Sequence, residues 1–246
     1  MKKLVALMLV GAMTAAMVTG CGSSADTTAS TDAAAEDTAA DAEATEDTAE
    51  AAEDTAADAK SDLAYVKEKG TLVVGITEFE PMDYKDENGE WIGFDADMAK
   101  AFAESLGVTA EFQVIDWDNK ILELDGKTID CVWNGMTLTD EVTSSMECTN
   151  AYLNNAQVVV VPADVADQYQ DEESLKDLSF AVEAGSAGEA EVSALGLNYT
   201  PVSSQADALM EVASKSSDAA VIDSLMAGAM IGEGTGYADL TYTIGL

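Results

Sequence analysis

Carboxylates make up most of the reactive side chains in this chain of 246 residues. Aspartate and glutamate together number 47 against 11 lysines, and the formal net charge is −36 at pH 7. The chain contains no histidine and no arginine. Catalysis and metal binding by histidine are therefore excluded, whereas a pocket carboxylate with a raised pKa could still act as a general acid or base. Glu78 and Glu183 are the candidates for that role.

The same charge excludes two classes of partner. Nucleic acids and anionic membrane surfaces both select clustered cations, and this chain is strongly acidic. We expect neither partner, and we also expect no cofactor and no metal ion.

Cys21 is the most informative cysteine because of the residues on both sides of it. Two lysines, an apolar stretch over residues 4–18 and two small residues precede it, as in a cleaved secretory signal peptide. The motif Val18-Thr-Gly-Cys21 resembles the lipobox of bacterial lipoproteins, in which the cysteine is lipidated, with palmitate expected, and becomes the mature N-terminus. The alternative is an ordinary signal peptide followed by an unrelated cysteine. The first interpretation predicts a signal peptide over residues 1–20 and an extracytoplasmic protein held to the cell membrane by lipid at Cys21.

The segment after Cys21 is of low complexity. Residues 22–59 consist only of Gly, Ser, Ala, Thr, Asp and Glu, without any lysine, aromatic or branched aliphatic residue. Such a segment cannot bury enough apolar surface to offset the entropy of ordering. We therefore predict a disordered acidic tether over residues 21–60, which charge repulsion extends.

The remaining cysteines are Cys131 and Cys148, too few for a disulfide framework. A single bridge between them is compatible with an extracytoplasmic location, and the sequence leaves the bridged and free states open. The part of the chain that carries them is long enough for one large core or two small ones.

Strands and helices alternate in the part of the chain that must position the carboxylates. β-Branched runs predict strands, and apolar residues at helical spacing predict helices. The predicted strands span 71–76, 110–115, 128–133, 157–161, 178–182, a segment near Tyr199, and 219–222. The predicted helices span 95–106, 118–124, 188–195, 205–214 and 223–231. Strands separated by helices of about 10–15 residues are typical of parallel βαβ units.

Two local features can be predicted within this pattern. The run Asp86-Glu-Asn-Gly89 is typical of a hairpin turn. Asp95 is expected to cap the helix that follows, with Met98, Phe102 and Leu106 on one face. The alternation as a whole is compatible with two α/β lobes joined near residue 157, or with one continuous sheet.

Eight spaced motifs run in order through the region from residue 63 to residue 246. They are Val73-Val-Gly75, Phe79-Glu-Pro81, Gly89–Asp97, Ile115–Asp118, Ile129–Thr139, Thr149–Tyr152, Ala181–Ser186 and Asp218–Asp223. Together they resemble the extracytoplasmic solute-binding proteins of ABC transporters for polar amino acids. This resemblance implies an α/β, two-lobed periplasmic-binding-protein-like fold of type II, with mixed, mainly parallel sheets and a two-strand hinge.

The resemblance also implies a division of the chain. Lobe one is expected over residues 61–156 and lobe two over residues 157–242, with the start of a return to lobe one at 243–246. Members of the family complete lobe one with a further strand and helices after that return. The sequence is therefore expected to be truncated at its C-terminus, with part of lobe one missing.

A ligand site between the lobes follows from the same resemblance. Phe79 and Trp117 match residues that pack against the ligand, although both could instead be ordinary core residues. Asn134, Gly135 and Thr137 match a loop that holds the amino and carboxylate groups of the ligand, although an Asn-Gly pair could form a plain turn.

Lobe two is expected to contribute residues from two strand ends. Glu183, Gly185 and Ser186 match a loop in which free N–H groups at a helix start would favour an anion. Asp223 matches the carboxylate that pairs with the ligand ammonium, and it could also cap the helix that it opens.

Two positions depart from the family pattern. Val142 stands where the family has an arginine that makes a two-pronged pair with the α-carboxylate of the ligand, and Ala187 stands where it has a hydroxyl. Without the guanidinium, a desolvated carboxylate would lack its partner. Lys120 could supply the charge.

The alternative is a ligand with an amine but no ordinary α-carboxylate. Asp223, Glu183 and Glu78 would form a suitable acidic cleft for it. The resemblance nevertheless ranks amino acids first.

The resemblance implies a monomeric, membrane-tethered extracytoplasmic receptor. It would bind a small polar solute, close around it and deliver it to an ABC transporter permease, without enzymatic activity. Two alternatives stay open. One is a non-transport ligand sensor or surface binding protein of the same fold, and the other is a dehydratase or lyase that uses a pocket carboxylate.

Overall fold

The computed structural model describes residues 61–246, so the predicted signal peptide, the acidic tether and Cys21 lie outside the described residues. The strands are β1 (Thr71–Ile76), β2 (Tyr84–Lys85), β3 (Trp91–Ile92), β4 (Thr109–Val114), β5 (Cys131–Val132), β6 (Gln157–Pro162), β7 (Ser179–Glu183), β8 (Asn198–Val202), β9 (Ala219–Asp223) and β10 (Leu240–Gly245). The helices are α1 (Asp62–Lys69), α2 (Phe94–Leu106), α3 (Lys120–Asp125), α4 (Asp140–Ser145), α5 (Ala187–Ala194), α6 (Gln205–Ala213) and α7 (Ser224–Met230).

Two main sheets carry the fold. The first has the strand order β4–β1–β5, and all its strands are parallel. The second has the order β10–β6–β9–β7–β8, in which β7 is parallel to β8 and β9, whereas β6 is antiparallel to β9 and β10. The predicted α/β fold with mixed sheets is therefore confirmed, and the alternative of one continuous sheet is wrong.

The predicted hairpin turn is confirmed. Strands β2 and β3 pair in antiparallel fashion across it, with Tyr84 opposite Ile92. Gly89 has a φ of +85°, a conformation that glycine adopts without steric cost.

Helix α2 differs from its prediction in its cap, and the structure shows which of its faces is buried. Its N-cap is Gly93, and the buried apolar residues are Ala96, Ala99 and Ala103. Met98 and Phe102 are 48% and 46% exposed. Ala99 and Ala103 pack into the core of the first sheet, because their small side chains let the helix approach the strands closely.

Each sheet has its own apolar core. In the first, Val74 and Ile76 of β1 pack against α2. In the second, Val159 and Val161 of β6 pack into one cluster, and Val158 and Val160 pack into another on the opposite face of the sheet. Burial on both faces explains why β6 is an uninterrupted apolar run.

The two sheets meet through residues that follow β1. Phe79 and Met82 belong to the same buried apolar cluster as Ile222 of β9 and Met226 of α7. The contact brings the carboxyl end of the first sheet next to the second sheet, where a site could form.

Residues 243–245, predicted to start a return to lobe one, belong to β10 at the edge of the second sheet, beside β6. The lobe limits at 61–156 and 157–242 remain predictions. Over residues 61–246, no helix has the length and apolar character needed to cross a membrane.

Candidate functional site

A cavity of about 220 Å³ lies between the strand ends of the two sheets. It is formed by segments that follow β1, β4 and β5, by the ends of β7 and β9, and by the start of the antiparallel β6. Carboxyl ends of strands are where open α/β sheets bind ligands. All eight predicted ligand residues line this cavity: Phe79, Trp117, Asn134, Gly135, Thr137, Glu183, Ser186 and Asp223. Their contacts with a ligand remain a prediction.

Asp223 ends β9, and its buried carboxylate accepts hydrogen bonds from three side-chain amides. Gln157 Nε2 donates at 2.7 Å, and Asn155 Nδ2 and Gln205 Nε2 donate as well. Burial raises the pKa of Asp223, while these three hydrogen bonds oppose the rise. The side chain makes no capping hydrogen bond to α7, although Asp223 occupies its N-cap position. The carboxylate is therefore fixed at the cavity wall by amides and does not cap the helix.

Glu183 ends β7 beside Asp223 and is 3% exposed. Its Oε1 atom has no hydrogen-bond partner among residues 61–246. Burial and, second, the charge of Asp223 raise the pKa of Glu183 to about 8. At neutral pH this carboxyl group therefore retains its proton and can donate a hydrogen bond.

Two backbone N–H groups of the loop that joins β7 to α5 already have acceptors. The Gly185 N–H donates to Glu189 Oε2 at 2.7 Å, and the Ser186 N–H donates to the Glu183 carbonyl at 3.2 Å. The N–H groups of Gly185 and Ser186 are thus paired within the loop and are not free for an anion, whereas the expectation that the start of α5 favours an anion stays a prediction. Ser186 is the N-cap of this helix and accepts from the Glu189 N–H at 3.1 Å.

Lys120, at the start of α3, is 4% exposed and lines the same cavity. Its Nζ donates to the Gly185 carbonyl at 2.9 Å and to the Trp117 carbonyl at 3.3 Å. The Nζ also lies 5.1 Å from the centre of the Trp117 ring. Burial lowers the pKa of Lys120, and nearby carboxylates, Glu141 first, oppose that shift.

The loop after β5 is anchored from behind the cavity. Asn134 is buried, and its Oδ1 accepts from the Thr77 N–H. The Gly135 N–H donates to Asp95 Oδ2 at 2.5 Å. Gly135 has a φ of +58°, and a Cβ atom there would lie 2.8 Å from Cε1 of Phe79. Glycine thus lets the Phe79 ring pack directly against this loop.

Two apolar residues stand at positions where the family resemblance implies carboxylate-binding groups. Val142 of α4 and Ala187 of α5 both line the cavity. Glu78 is exposed and does not line it, so its predicted place in an acidic cleft is wrong.

Cys131 and Cys148 are not bonded to each other. Cys131 is partly buried, and burial raises the pKa of its thiol to about 12. Within the described part of the chain, no group of three or more His, Cys, Asp or Glu residues is arranged to hold a metal ion.

Sequence reasoning missed the amides that hold Asp223. Gln157 is a polar residue at the start of an apolar strand, and Gln205 is a buried residue just after the N-cap of α6. A polar side chain in such a position needs a buried hydrogen-bond partner, so these two residues could have indicated a buried polar cluster. Which partner it finds depends on strands that are far apart in the sequence.

The chain belongs to the bacterial extracellular solute-binding proteins, family 3, whose model matches residues 72–225. The arginine-binding extracellular protein ArtP of Bacillus subtilis (strain 168) is 30% identical over 167 residues, which are 65% of this chain and 63% of ArtP. The structure of holo ArgBP from T. maritima is similar with a TM-score of 0.68 and 33% identity, over 73% of this chain and 79% of that one. The family resemblance drawn from the motifs is thus confirmed.

An enzyme is also among the relatives. Cyclohexadienyl dehydratase of Pseudomonas aeruginosa is 32% identical over 83 residues, which are 33% of this chain and 31% of the enzyme. The chain spans 33% to 63% of the length of the first curated relatives that it matches.

Proposed function

We propose that this chain is an extracytoplasmic receptor that binds a small polar solute, an amino acid, for delivery to an ABC transporter permease. The observation that carries the proposal is the cavity between the two sheets. It has apolar walls at Phe79 and Trp117, buried carboxyl groups at Asp223 and Glu183, and a buried ammonium at Lys120. A small zwitterion is complementary to this cavity, because its ammonium suits the carboxyl groups, its carboxylate suits the Lys120 ammonium, and its apolar part suits Phe79 and Trp117.

The size of the cavity supports a small solute. Its volume of about 220 Å³ lies below the roughly 300–1,000 Å³ of pockets for drug-sized ligands. Contacts between the two sides of the cavity, such as Lys120 with Gly185, favour a closed arrangement around the solute. Binding would then shift an open-to-closed equilibrium, as in other two-lobed binding proteins.

Isothermal titration calorimetry against the twenty common L-amino acids tests the binding role. At least one is expected to bind, and Asp223→Asn is expected to weaken it about tenfold or more, because the carboxylate loses its charge for the ligand ammonium. Asp239→Asn, at an exposed position, is the matched control for the change in net charge. Unchanged affinity in Asp223→Asn would remove this carboxylate from the site, and binding of none of the twenty would overturn the amino-acid proposal.

Membrane tethering through Cys21 is a separate part of the proposal. It rests on the lipobox-like motif, on the acidic segment that follows it and on the extracellular location named for the family. Cys21→Ala is expected to release the protein from the membrane fraction and to remove the acyl mass seen by mass spectrometry. A wild-type protein without acyl mass would refute lipid anchoring.

Delivery to a permease is tested by deletion of the gene for this protein. If cells without the gene still take up the amino acid that the protein binds, a sensor is favoured over a transport receptor.

One observation favours a second candidate, an enzyme of the dehydratase or lyase type. Glu183 is buried in the cavity with a pKa of about 8, as a general acid or base would require. The relatives are mostly binding proteins, which favours the receptor. Product formation that is lost in Glu183→Gln would establish the enzyme instead.

A further inference from the structure

The cavity contains one cationic side chain, Lys120, among the described residues that line it. Four acidic residues share the wall: Asp140, Glu141, Glu183 and Asp223. No carboxylate oxygen of residues 61–246 lies within 4.0 Å of the Lys120 ammonium. A buried ammonium without a paired anion is unfavourable, because burial removes its hydration without replacing it by an opposite charge.

The Lys120 ammonium also has fewer hydrogen-bond acceptors than donors among the described residues. A lysine ammonium has three N–H donors, and carbonyls of Trp117 and Gly185 accept from Lys120. Those two acceptors are neutral, one in the segment that follows β4 of the first sheet and the other in the segment that follows β7 of the second. They hold the Nζ at the wall, and the carboxylates that act on its charge, Glu141 first, lie beyond 4.0 Å from it.

We propose that the Lys120 ammonium is the anion-binding group of this site and takes the carboxylate of a zwitterionic solute. The inference rests on the proposed receptor function and names the residue that would decide its specificity. Val142, on the same cavity wall, cannot bind an anion, and the N–H groups of Gly185 and Ser186 are already paired. The carboxylate would fill the remaining donor of Lys120, while Asp223 and Glu183 face the ammonium end.

A lysine binds a carboxylate differently from an arginine. It offers a compact point charge, whereas a guanidinium offers two parallel donors that fix the plane of the carboxylate. The site is therefore expected to require the negative charge of the solute more strictly than the orientation of its carboxylate plane.

The test compares each of the twenty common L-amino acids with its C-terminal carboxamide, which keeps the ammonium and removes the negative charge. Calorimetry on the full chain would use the wild type, Lys120→Met and Lys120→Arg. Lys176→Met is the matched control, because it removes the same charge from an exposed side chain. The wild type is expected to prefer an acid over its amide by about tenfold to a hundredfold, the range of a charge-assisted hydrogen bond.

Lys120→Met is expected to abolish this preference by weakening the acid alone, whereas Lys120→Arg retains part of it and Lys176→Met retains all of it. Equal weakening of acid and amide in Lys120→Met would overturn the inference, since Lys120 would then only join Trp117 to Gly185. If circular dichroism shows that Lys120→Met does not fold, the comparison of acid and amide binding to the wild type still tests the inference. An amide that binds as well as its acid overturns the inference and leaves the receptor function standing. Binding of neither series overturns the receptor proposal, and this inference with it.

Discussion

The carboxylate of Asp95 accepts a 2.5 Å hydrogen bond from the backbone N–H of Gly135, 40 residues later in the chain. The same carboxylate accepts a hydrogen bond from the Tyr152 hydroxyl at 2.9 Å. Asp95 does not line the cavity, yet it joins the first turn of α2 to the loop that does. The shape of the candidate site therefore depends on a carboxylate behind it.

Removal of that carboxylate is expected to destabilise the protein. Asp95→Ala leaves the Gly135 N–H without its acceptor, which costs about 1–3 kcal/mol in the free energy of unfolding. Asp97→Ala is the control, because Asp97 is exposed on the same helical turn. Urea denaturation of both variants measures the difference. A loss no larger than that of the control would mean that the hydrogen bond contributes little.

Asp83 predicts a dependence of stability on pH. It is fully buried, and neither of its carboxyl oxygens has a hydrogen-bond partner among the described residues. Burial and, second, the charge of Asp95 raise the pKa of Asp83 from 3.8 to about 8. Between pH 4 and pH 8 the folded state thus retains a proton that the unfolded state has released. The unfolded state binds fewer protons in this window, so stability falls as the pH rises through it.

Asp83→Asn removes this titration and keeps the shape of the side chain. The variant is expected to exceed the wild type in stability by a few kcal/mol at pH 8, and by much less at pH 5. Thermal unfolding of both proteins at the two pH values measures the effect, and pH 5 is the internal control. A difference that does not change with pH would show that the pKa of Asp83 is the same in the folded and the unfolded wild type.

Ligand binding is expected to depend on the close approach of Gly185 to the backbone of Asp118. A Cβ atom at Gly185 would lie 2.6 Å from the Asp118 Cα atom, whereas one at Gly196 would meet nothing within 4 Å. Both glycines have φ near +70°, so alanine strains the backbone similarly at each position. Only Gly185→Ala also introduces a clash with backbone, for which overpacking costs about 1–3 kcal/mol.

The clash is expected to oppose closure and to weaken amino-acid binding about tenfold to a hundredfold in Gly185→Ala relative to Gly196→Ala. Calorimetry measures the affinities, and small-angle scattering with and without the amino acid reports the closure. Equal affinities in the two variants would mean that binding does not need this contact.

Gln205 is expected to contribute to the stability of the fold through its hydrogen bonds with Asp223. Its Nε2 donates to the Asp223 carboxylate, and its Oε1 accepts from the Asp223 N–H at 2.8 Å. Gln205→Leu removes both partners of a buried residue, which is expected to cost about 1–3 kcal/mol of stability. Gln168→Leu, at an exposed position, is the control. Equal urea midpoints for the two variants would contradict this role for Gln205.

Local sequence patterns predicted most strands because burial within one element leaves a local signature. The run over residues 71–76 is strand β1 as predicted, and the polar residues that end β7 and β9 line the cavity. Helix α2 shows the limit of such patterns. It has two apolar stripes, and the sequence alone did not say that the stripe with the small residues Ala99 and Ala103 is the buried one, while Met98 and Phe102 stay half-exposed. Packing against the first sheet makes this choice.

The sequence by itself determined the class of fold and, through the resemblance of its motifs to a known family, the eight residues that line the cavity, because strand ends and motifs are properties of short segments. Only the tertiary structure decided which polar groups pair with which. Gln157 and Asp223 are 66 residues apart, and Lys120 and Gly185 are 65 apart. No local pattern encodes such a pair, because a buried polar side chain requires a partner without specifying which segment brings it.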